Sequence, residues 1–342
     1  MRAMIIEAVG PVEPGRDPLR SVDMPVPQPR EGELLIEVST CAVCHTELDE
    51  IEGRTAPSSL PRVPGHQVVG RVVEAGAGAS RSRVGERVGV GWIHSACGRC
   101  PACGAGDDNL CPDFVATGRD ADGGYAQLMT VPERFAFRVP DIFSDVEAAP
   151  LLCAGAIGYR SLRLAGLRDG EPLGLTGFGA SGHLVLKMAR HQLPRSPIFV
   201  FTRSAEEREF ALALGAAWAG DTTDVPPGRL AAIIDTTPAW KPVVDSLGKL
   251  LPGGRLVINA IRKQEADKRE LLRLDYPSHL WMEKEIKSVA NVASRDVDEF
   301  LALAAAIPIR PEVEVFRLEE ANRALHEIRA RRIRGAKVLL VR

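Results

Sequence analysis

Three side chains that could bind one metal ion lie far apart in this chain. Cys44 stands in a Cys-His-Thr run, His66 in a Gly-His-Gln run, and Cys153 in the segment LLCAG. Zinc in a catalytic site usually takes three protein ligands with sulfur or nitrogen donors, and leaves its fourth position to water or substrate. These residue types therefore predict a catalytic zinc bound by Cys44, His66 and Cys153.

A second group of cysteines is closely spaced. The pattern is C-x2-C-x2-C-x7-C, and its members are Cys97, Cys100, Cys103 and Cys111. Four thiolates in one short segment can complete a tetrahedron around a single zinc, which leaves no position for a substrate. We interpret the lobe 94–112 as a structural zinc site. An iron–sulfur cluster, which also uses closely spaced cysteines, is the alternative.

A glycine-rich turn follows the short apolar strand 173–176. Gly177, Gly179 and Gly182 form the pattern G-x-G-x-x-G, and a helical pattern begins near His183. Between a strand and a helix, such glycines allow a tight turn and bring the backbone close to a pyrophosphate at the helix N-terminus. The pattern therefore predicts a dinucleotide site.

The next strand of this region ends at Thr202, Arg203 and Ser204. NAD enzymes commonly carry an acidic residue at this place to bind the ribose 2′-hydroxyl. Hydroxyls and a guanidinium suit a 2′-phosphate instead, because Arg offers charge-assisted bidentate bonds. We therefore expect NADP, with NAD as the alternative. Ser204 and Glu207 also predict a capping box for a helix over 205–214.

The chain shows two different patterns of predicted secondary structure. Short strands separated by turns, such as 68–74 and 87–92, occupy the first ~150 residues and predict an all-β barrel or sandwich. Beyond about residue 170, strands and helices alternate, which predicts a parallel sheet covered by helices. The expected fold class is α/β, with a β-barrel domain followed by a doubly wound parallel-sheet domain.

Length and composition narrow the function classes. The 342 residues suggest two domains. A formal net charge of −2 gives no reason to expect nucleic acid or an anionic membrane as a partner. No apolar run approaches the ~20 residues of a membrane span, and the N-terminus lacks the layout of a signal peptide. We therefore expect a cytoplasmic protein with reduced cysteines and a small-molecule partner.

Together these motifs resemble the zinc-dependent alcohol dehydrogenases of the medium-chain dehydrogenase/reductase superfamily, and the likeness covers nearly all of the chain. It implies a GroES-like catalytic domain over 1–152, a Rossmann domain over 153–288 and a C-terminal return to the catalytic domain over 289–342. It also implies a homodimer or homotetramer. The expected reaction is reversible hydride transfer between a small primary alcohol or aldehyde and NAD(P).

The resemblance also implies roles for single residues. Thr46 would hydrogen-bond the substrate oxygen at the metal and start a proton relay. His45 would lie against the cofactor pyrophosphate. Trp92 matches a tryptophan that lines the substrate pocket of microbial members, although a purely structural core position is the alternative.

Three positions depart from the family pattern. Members usually carry Glu after the zinc histidine, where this chain has Gln67. They usually carry Asp at Glu47, as the carboxylate that holds the zinc histidine. Many carry a relay histidine at Asp49. None of these changes removes a zinc ligand.

Other functions remain open from the sequence. A cinnamyl-type alcohol dehydrogenase would fit the expectation of NADP. Polyol dehydrogenases tend to have a carboxylate in place of Cys153, so they fit less well. A zinc protein that binds a nucleotide without turnover is the alternative outside the enzyme class, and Gln67 is its only support.

Overall fold

The computed structural model describes residues 1–307, 309–330 and 335–342. These form two compact units, one of residues 1–156 with 292–342 and one of residues 157–291. Within the segment 289–342, positions 308 and 331–334 lie outside the described residues. In the part of the chain that the structure describes, no helix is long and apolar enough to span a membrane.

Short strands dominate the first part of the chain. They are β1 (Arg2–Ile5), β2 (Arg20–Asp23), β3 (Glu33–Val43), β4 (Val68–Ala75), β5 (Arg87–Val90), β6 (Ile93–Ser95), β7 (Val115–Ala116), β8 (Leu128–Pro132) and β9 (Phe137–Arg138). The helices between and after them are α1 (His45–Ile51), α2 (Pro101–Gly104) and α3 (Asp145–Pro150). A π-helical turn over Leu151–Gly155 follows α3 directly.

The second unit alternates strands and helices. Its strands are β10 (Leu173–Thr176), β11 (Ile198–Phe201), β12 (Trp218–Gly220), β13 (Leu230–Asp235), β14 (Leu250–Ile258) and β15 (Glu285–Ser288). Its helices are α4 (Ala156–Ala165), whose first residue still belongs to the first unit, α5 (Ala180–Gln192), α6 (Ala205–Ala213) and α7 (Lys241–Leu247).

The sheet of this unit is parallel throughout, with the strand order β12-β11-β10-β13-β14-β15. The order runs outward in one direction from β10 and then in the other from β13, which is the doubly wound Rossmann arrangement. The predicted α/β sheet is therefore confirmed. In such sheets a ligand binds beyond the carboxyl ends of the strands where the order reverses, here between β10 and β13.

Apolar side chains of the strands and of α7 form the core of this unit. Phe201, Ile233 and Leu256 come from β11, β13 and β14, and they pack with Val243 and Leu247 of α7. Val243 and Leu247 are four residues apart, so they lie on one face of the helix. Burying each such side chain contributes roughly 1.5–3 kcal/mol.

The C-terminal segment returns to the first unit. Its elements are α8 (Ser294–Ala306), β16 (Val313–Arg317), α9 (Ala321–Arg329) and β17 (Ala336–Leu340). The two strands, β16 and β17, complete a seven-stranded sheet with the order β16-β17-β3-β4-β5-β9, in which β8 also pairs with β3. The long strand β3 therefore binds β17, β4 and β8, and it leads directly into Cys44 and α1.

Two predicted boundaries were wrong. The strand expected over 87–92 ends at Val90, and a new strand begins at Ile93, because the chain turns where Gly91 passes close to the Leu152 carbonyl. The helix expected from about His183 begins at Ala180, since Gly179 takes the extended conformation of an N-cap. Gly182 therefore lies inside the first turns of α5.

Candidate functional site

The three predicted catalytic metal ligands come from three different elements of the first unit. Cys44 caps α1, with its Sγ accepting a hydrogen bond from the Thr46 N–H at 3.3 Å. His66 lies in the loop before β4, and Cys153 lies in the π-helical turn after α3. Each ligand thus lies within a helical turn or next to a helix or strand, which holds its backbone in place.

The structure brings these three side chains together. His66 Nε2 lies 3.6 Å from Cys44 Sγ and 3.4 Å from Cys153 Sγ. All three ligand atoms lie within 4.8 Å of one another. Two sulfurs and one imidazole nitrogen are a donor set that zinc prefers, and three ligands leave one of its four positions to another group.

Glu47 orients this group. Its Oε1 lies 2.7 Å from His66 Nδ1, and both side chains are buried. Its Oε2 accepts the N–H of Cys44 at 2.8 Å. One carboxylate thus holds the backbone of one metal ligand and the ring of another, and it turns Nε2 of His66 toward the two sulfurs. This is the contact that the family resemblance implies for a carboxylate at position 47.

The charges around the group favour a cation. The hydrogen bond that the Cys44 thiol donates to Cys153, together with burial, raises the pKa of Cys44 well above its ordinary value. Burial lowers the pKa of His66, but the charges of Glu47 and Cys44 outweigh burial and raise that pKa well above its usual range. Metal binding requires thiolates and a neutral imidazole, so a divalent cation would displace these protons.

Close packing positions His66 and Cys153. Gly65 has φ +99°, and a Cβ there would lie 2.3 Å from the buried ring of Tyr125, so only glycine fits before His66. A Cβ at Gly155 would come within 2.3 Å of the ring of Phe300 on α8. The turn that carries Cys153 is therefore packed tightly against the C-terminal segment.

The other predicted residues of this site lie near its ligands in the chain or in space. Trp92 is 3% exposed and packs edge-on against the ring of His66, with centroids 5.0 Å apart. The guanidinium of Arg119 lies over the Trp92 ring at 5.7 Å. His45 is exposed and Thr46 is partly exposed, both in the first turn of α1.

The four-cysteine lobe also gathers its sulfurs. The Sγ atoms of Cys97, Cys100, Cys103 and Cys111 lie within 4.8 Å of one another. Backbone N–H groups donate to them at 3.3–3.4 Å, as in the bonds from Cys100 to Cys97 and from Cys103 to Cys100. The N–H groups of Arg99 and Cys100 lower the pKa of Cys97 to about 6. Such bonds stabilise thiolates, the form that binds metal.

An anchor for this lobe was missed by the sequence reasoning. Asp108 is fully buried and accepts hydrogen bonds from the N–H and hydroxyl of Ser294, at 2.9 and 2.5 Å. Arg295 pairs with Asp107 at 2.7 Å. The lobe is thus tied to the start of α8, 186 positions further along the chain, and no local pattern signals such a contact.

The predicted dinucleotide turn lies at the reversal point of the parallel sheet. Gly177 follows β10 with φ +79°, and a Cβ there would lie 2.7 Å from the hydroxyl of Thr236. Asp235, at the end of β13, accepts the hydroxyl of Thr176 at 2.6 Å and pairs with the buried Lys263. An acidic residue that ends the apolar run LAAIID is a signal that could have located this network.

The predicted cofactor-specificity residues lie at the end of β11. Arg203 is exposed, and Arg208 donates to the carbonyl of Thr202 at 3.0 Å. The predicted capping box is only half formed. The Glu207 N–H donates to the Ser204 hydroxyl, but the Glu207 carboxylate accepts the hydroxyl of Thr202 instead of the Ser204 N–H. The carboxylate is turned toward the end of β11, because the Thr202 hydroxyl there donates to it.

Comparisons with known proteins agree with this arrangement. The family profile described as Alcohol dehydrogenase GroES-like domain matches residues 30–141. A probable alcohol dehydrogenase from Mycobacterium tuberculosis is 42% identical, covering 100% of this chain and 97% of the relative. An alcohol dehydrogenase from Geobacillus stearothermophilus is 32% identical over 92% of this chain and 93% of its own length. The solved structure of a cinnamyl alcohol dehydrogenase from Sorghum bicolor superposes with a TM-score of 0.83 at 26% identity, covering 99% of this chain and 97% of the other.

The chain therefore belongs to the zinc-dependent alcohol dehydrogenases of the medium-chain dehydrogenase/reductase superfamily. It combines a GroES-like catalytic fold with a Rossmann fold. It is an oxidoreductase that transfers hydride reversibly between a small alcohol or aldehyde and a nicotinamide cofactor.

The lowered pKa of Cys97 in the lobe predicts how the alkylation of this thiol depends on pH. In metal-free protein we expect iodoacetamide to alkylate Cys97 with a midpoint near its pKa of about 6, because the lowered pKa leaves a thiolate above that pH. Cys103, whose pKa burial raises to about 12, should stay protonated and unlabelled near neutral pH. Trypsin cleaves after Arg99, so mass spectrometry reads Cys97 in a peptide separate from the other three cysteines. Equal labelling of Cys97 and Cys103 at pH 7 would contradict the prediction, and bound zinc should protect both.

Proposed function

We propose that Cys44, His66 and Cys153 hold a catalytic zinc ion and that the four-cysteine lobe holds a structural one. The observation that carries the proposal is the gathering of two thiols and one imidazole within 4.8 Å, beside the Glu47 carboxylate. When bound, zinc supplies a Lewis acid that polarises the substrate oxygen and lowers the pKa of an alcohol.

The protein's own residues would then orient the substrate and move its proton. Thr46, partly exposed at the start of α1, accepts the proton of the substrate hydroxyl in a hydrogen bond. Asp49 stands where many family members carry the relay histidine. It is paired with Arg54 and so offers a fixed carboxylate for the last relay step, with water as the alternative. Trp92 holds the ring of His66 in place and borders the substrate position, while His45 binds the cofactor pyrophosphate.

A matched pair of cysteine variants tests this function. Cys44→Ser should remove one of two zinc ions per chain and lower the rate of aldehyde reduction by about 1,000-fold, since the metal supplies several kcal/mol of charge stabilisation. Cys41→Ser should keep both ions and the rate, because Cys41 is a buried thiol outside either cluster. The measurements are elemental zinc analysis and the loss of NADPH absorbance. Equal zinc content and activity in the two variants would contradict the assignment.

The proposed cofactor is NADP. The end of β11 presents hydroxyls and the exposed guanidinium of Arg203 where NAD enzymes commonly carry an acidic residue. Arg208, held on the Thr202 carbonyl, adds a second positive charge at this place. The carboxylate of Glu207 is engaged by the Thr202 hydroxyl, so it is already hydrogen-bonded within the protein.

Arg203→Glu should reverse this preference. We expect the ratio of kcat/KM for NADPH to that for NADH to fall about 10- to 100-fold, because a charge-assisted hydrogen bond contributes roughly 1.5–3 kcal/mol. Arg195→Glu, at an exposed arginine of the same unit that pairs with Asp169, should leave the ratio unchanged. A wild-type protein that oxidises NADH faster than NADPH would overturn the NADP assignment and leave the zinc assignment intact.

A cinnamyl-type substrate is the second candidate. The solved structure from Sorghum bicolor is named a cinnamyl alcohol dehydrogenase and matches nearly the whole chain. Aldehyde reduction should therefore be measured with cinnamaldehyde beside short aliphatic aldehydes. A higher kcat/KM for cinnamaldehyde would favour this candidate over small primary alcohols.

The proposed partner is a second copy of the chain. Strand β15 is the edge of the parallel sheet, and all four of its residues are exposed. Its one apolar residue, Ile286, is 46% exposed, and Trp281 and Met282, which precede the strand, are 55% and 51% exposed. An exposed edge strand beside exposed apolar side chains is a template for pairing with another chain, and symmetric dimers are the commonest outcome.

Ile286→Asp should disrupt this assembly. We expect its mass in light scattering to fall toward the 36.9 kDa of one chain, because a charge would be buried at the pairing edge. Val225→Asp, at a side chain 88% exposed elsewhere in the same unit, is the control and should keep the wild-type mass. A monomeric wild-type protein would contradict the proposed oligomer.

We propose the cytoplasm as the location of the protein. All seven cysteines are free, and six of them lie in the two proposed zinc sites, which need reduced thiols. A reducing compartment keeps them in that state.

A further inference from the structure

A buried ion pair joins the ends of two strands of the parallel sheet. Asp235 ends β13, and Lys263 lies in the loop after β14. Their side chains are 0% and 7% exposed, and the ammonium of Lys263 donates to the Asp235 carboxylate. Taking two charges out of water can cost as much as their attraction returns, and an apolar pair of similar size is often at least as stable. Stability alone therefore does not explain why this pair is buried.

Hydrogen bonds surround both members of the pair. Asp235 Oδ1 accepts the hydroxyls of Thr176 and Thr237, at 2.6 and 2.8 Å. Besides the carboxylate, Lys263 Nζ donates to the carbonyls of Thr237 and Ala239, at 2.7 and 3.0 Å. The three N–H groups of the ammonium thus meet three acceptors within the protein. A polar network whose donors and acceptors are all satisfied holds its members in one arrangement.

The bonds of the pair connect the carboxyl ends of three neighbouring strands. Thr176 ends β10, the segment 235–239 ends and follows β13, and Lys263 follows β14. Directly after Lys263, the N–H of Gln264 donates to the carbonyl of Pro238 at 2.8 Å. The strand order reverses between β10 and β13, so these loops border the crevice in which such a sheet binds its ligand.

The loop after β13 also packs on the predicted dinucleotide turn. The N–H and the hydroxyl of Thr236 donate to the carbonyl of Thr176, at 2.9 and 3.0 Å. A Cβ at Gly177 would lie 2.7 Å from the hydroxyl of Thr236 and 3.0 Å from the methyl group of Thr237. Gly177 thus lies directly against the loop that the ion pair holds, and a shift of this loop would change the space available to the turn.

We propose that Asp235 and Lys263 are positioning residues of the cofactor site, whose buried ion pair fixes the loops after β13 and β14 beside Gly177 before the dinucleotide binds. Ordering a binding site in advance strengthens binding, because fewer groups lose their freedom when the ligand arrives. The Lys263 ammonium is fully engaged within the protein, so the pair acts through the loops. The inference rests on the proposed role of the Gly177 turn in cofactor binding and applies to NADPH and NADH alike.

Three variants of the full-length protein separate this role from a purely structural one. Asp235→Asn and Lys263→Met each leave one buried charge without its partner, so both should lower the midpoint of thermal unfolding. The double variant Asp235→Asn/Lys263→Met removes both charges and should recover most of that loss. Its dissociation constants for NADPH and NADH, from calorimetric titration, should nevertheless stay about 10- to 100-fold above those of the wild type. Met cannot tie the two loops together, and displacements of about 1 Å in a binding site have effects of this size.

Lys337→Met is the matched control. Lys337 is a buried lysine of β17 in the first unit, and it pairs with the carboxylates of Glu314 and Glu327. Its replacement should lower the unfolding midpoint, because two carboxylates lose their partner, but should leave both dissociation constants unchanged. All titrations are made well below the unfolding midpoints.

Cofactor affinity in the double variant decides the outcome. Affinity that recovers together with the unfolding midpoint would assign the pair a structural role alone and overturn the inference, while leaving the dinucleotide site in place. Wild-type affinity in Lys263→Met, or an equal loss of affinity in Lys337→Met, would overturn it as well. A wild-type protein that binds neither NADPH nor NADH would overturn the dinucleotide site and this inference together.

Discussion

The Glu47 carboxylate is the contact on which the metal site depends. It accepts the backbone N–H of Cys44 with one oxygen and lies 2.7 Å from Nδ1 of His66 with the other. With Nδ1 engaged, Nε2 of the imidazole is the nitrogen that faces the two thiols. A metal ligand's second nitrogen is typically held in this way, because the contact sets both the ring orientation and the tautomer.

Packing around that contact leaves little freedom to the ligands. Tyr125 occupies the space that a side chain at Gly65 would need, and Phe300 does the same at Gly155. These two rings come from distant parts of the first unit and press on the loops that carry His66 and Cys153. The ligands are therefore placed by the folded core, since a rigid shell around a metal site limits how far its donors can move.

The two proposed zinc sites differ in how they are assembled. The lobe takes its four sulfurs from one segment of fifteen positions, and local N–H groups already orient them. The catalytic group spans more than a hundred positions and closes only when the sheet of the first unit has formed. The lobe is joined to the same unit through Asp108 and Ser294, so a metal bound there would stabilise a segment that packs near the start of α8.

The sequence by itself determined the features that depend on local spacing and residue type. These include the donor set of each metal site, the glycine turn between β10 and α5, and the alternation that yields a doubly wound sheet.

The tertiary structure decided which distant residues meet. Cys44 and His66 are 22 positions apart, and His66 and Cys153 are 87 apart. Their contact, like the pairing of Asp235 with Lys263, depends on strand register and on how loops pack. Spacing along the chain encodes a turn or a helix face, whereas contacts across loops arise only when the core has closed around them.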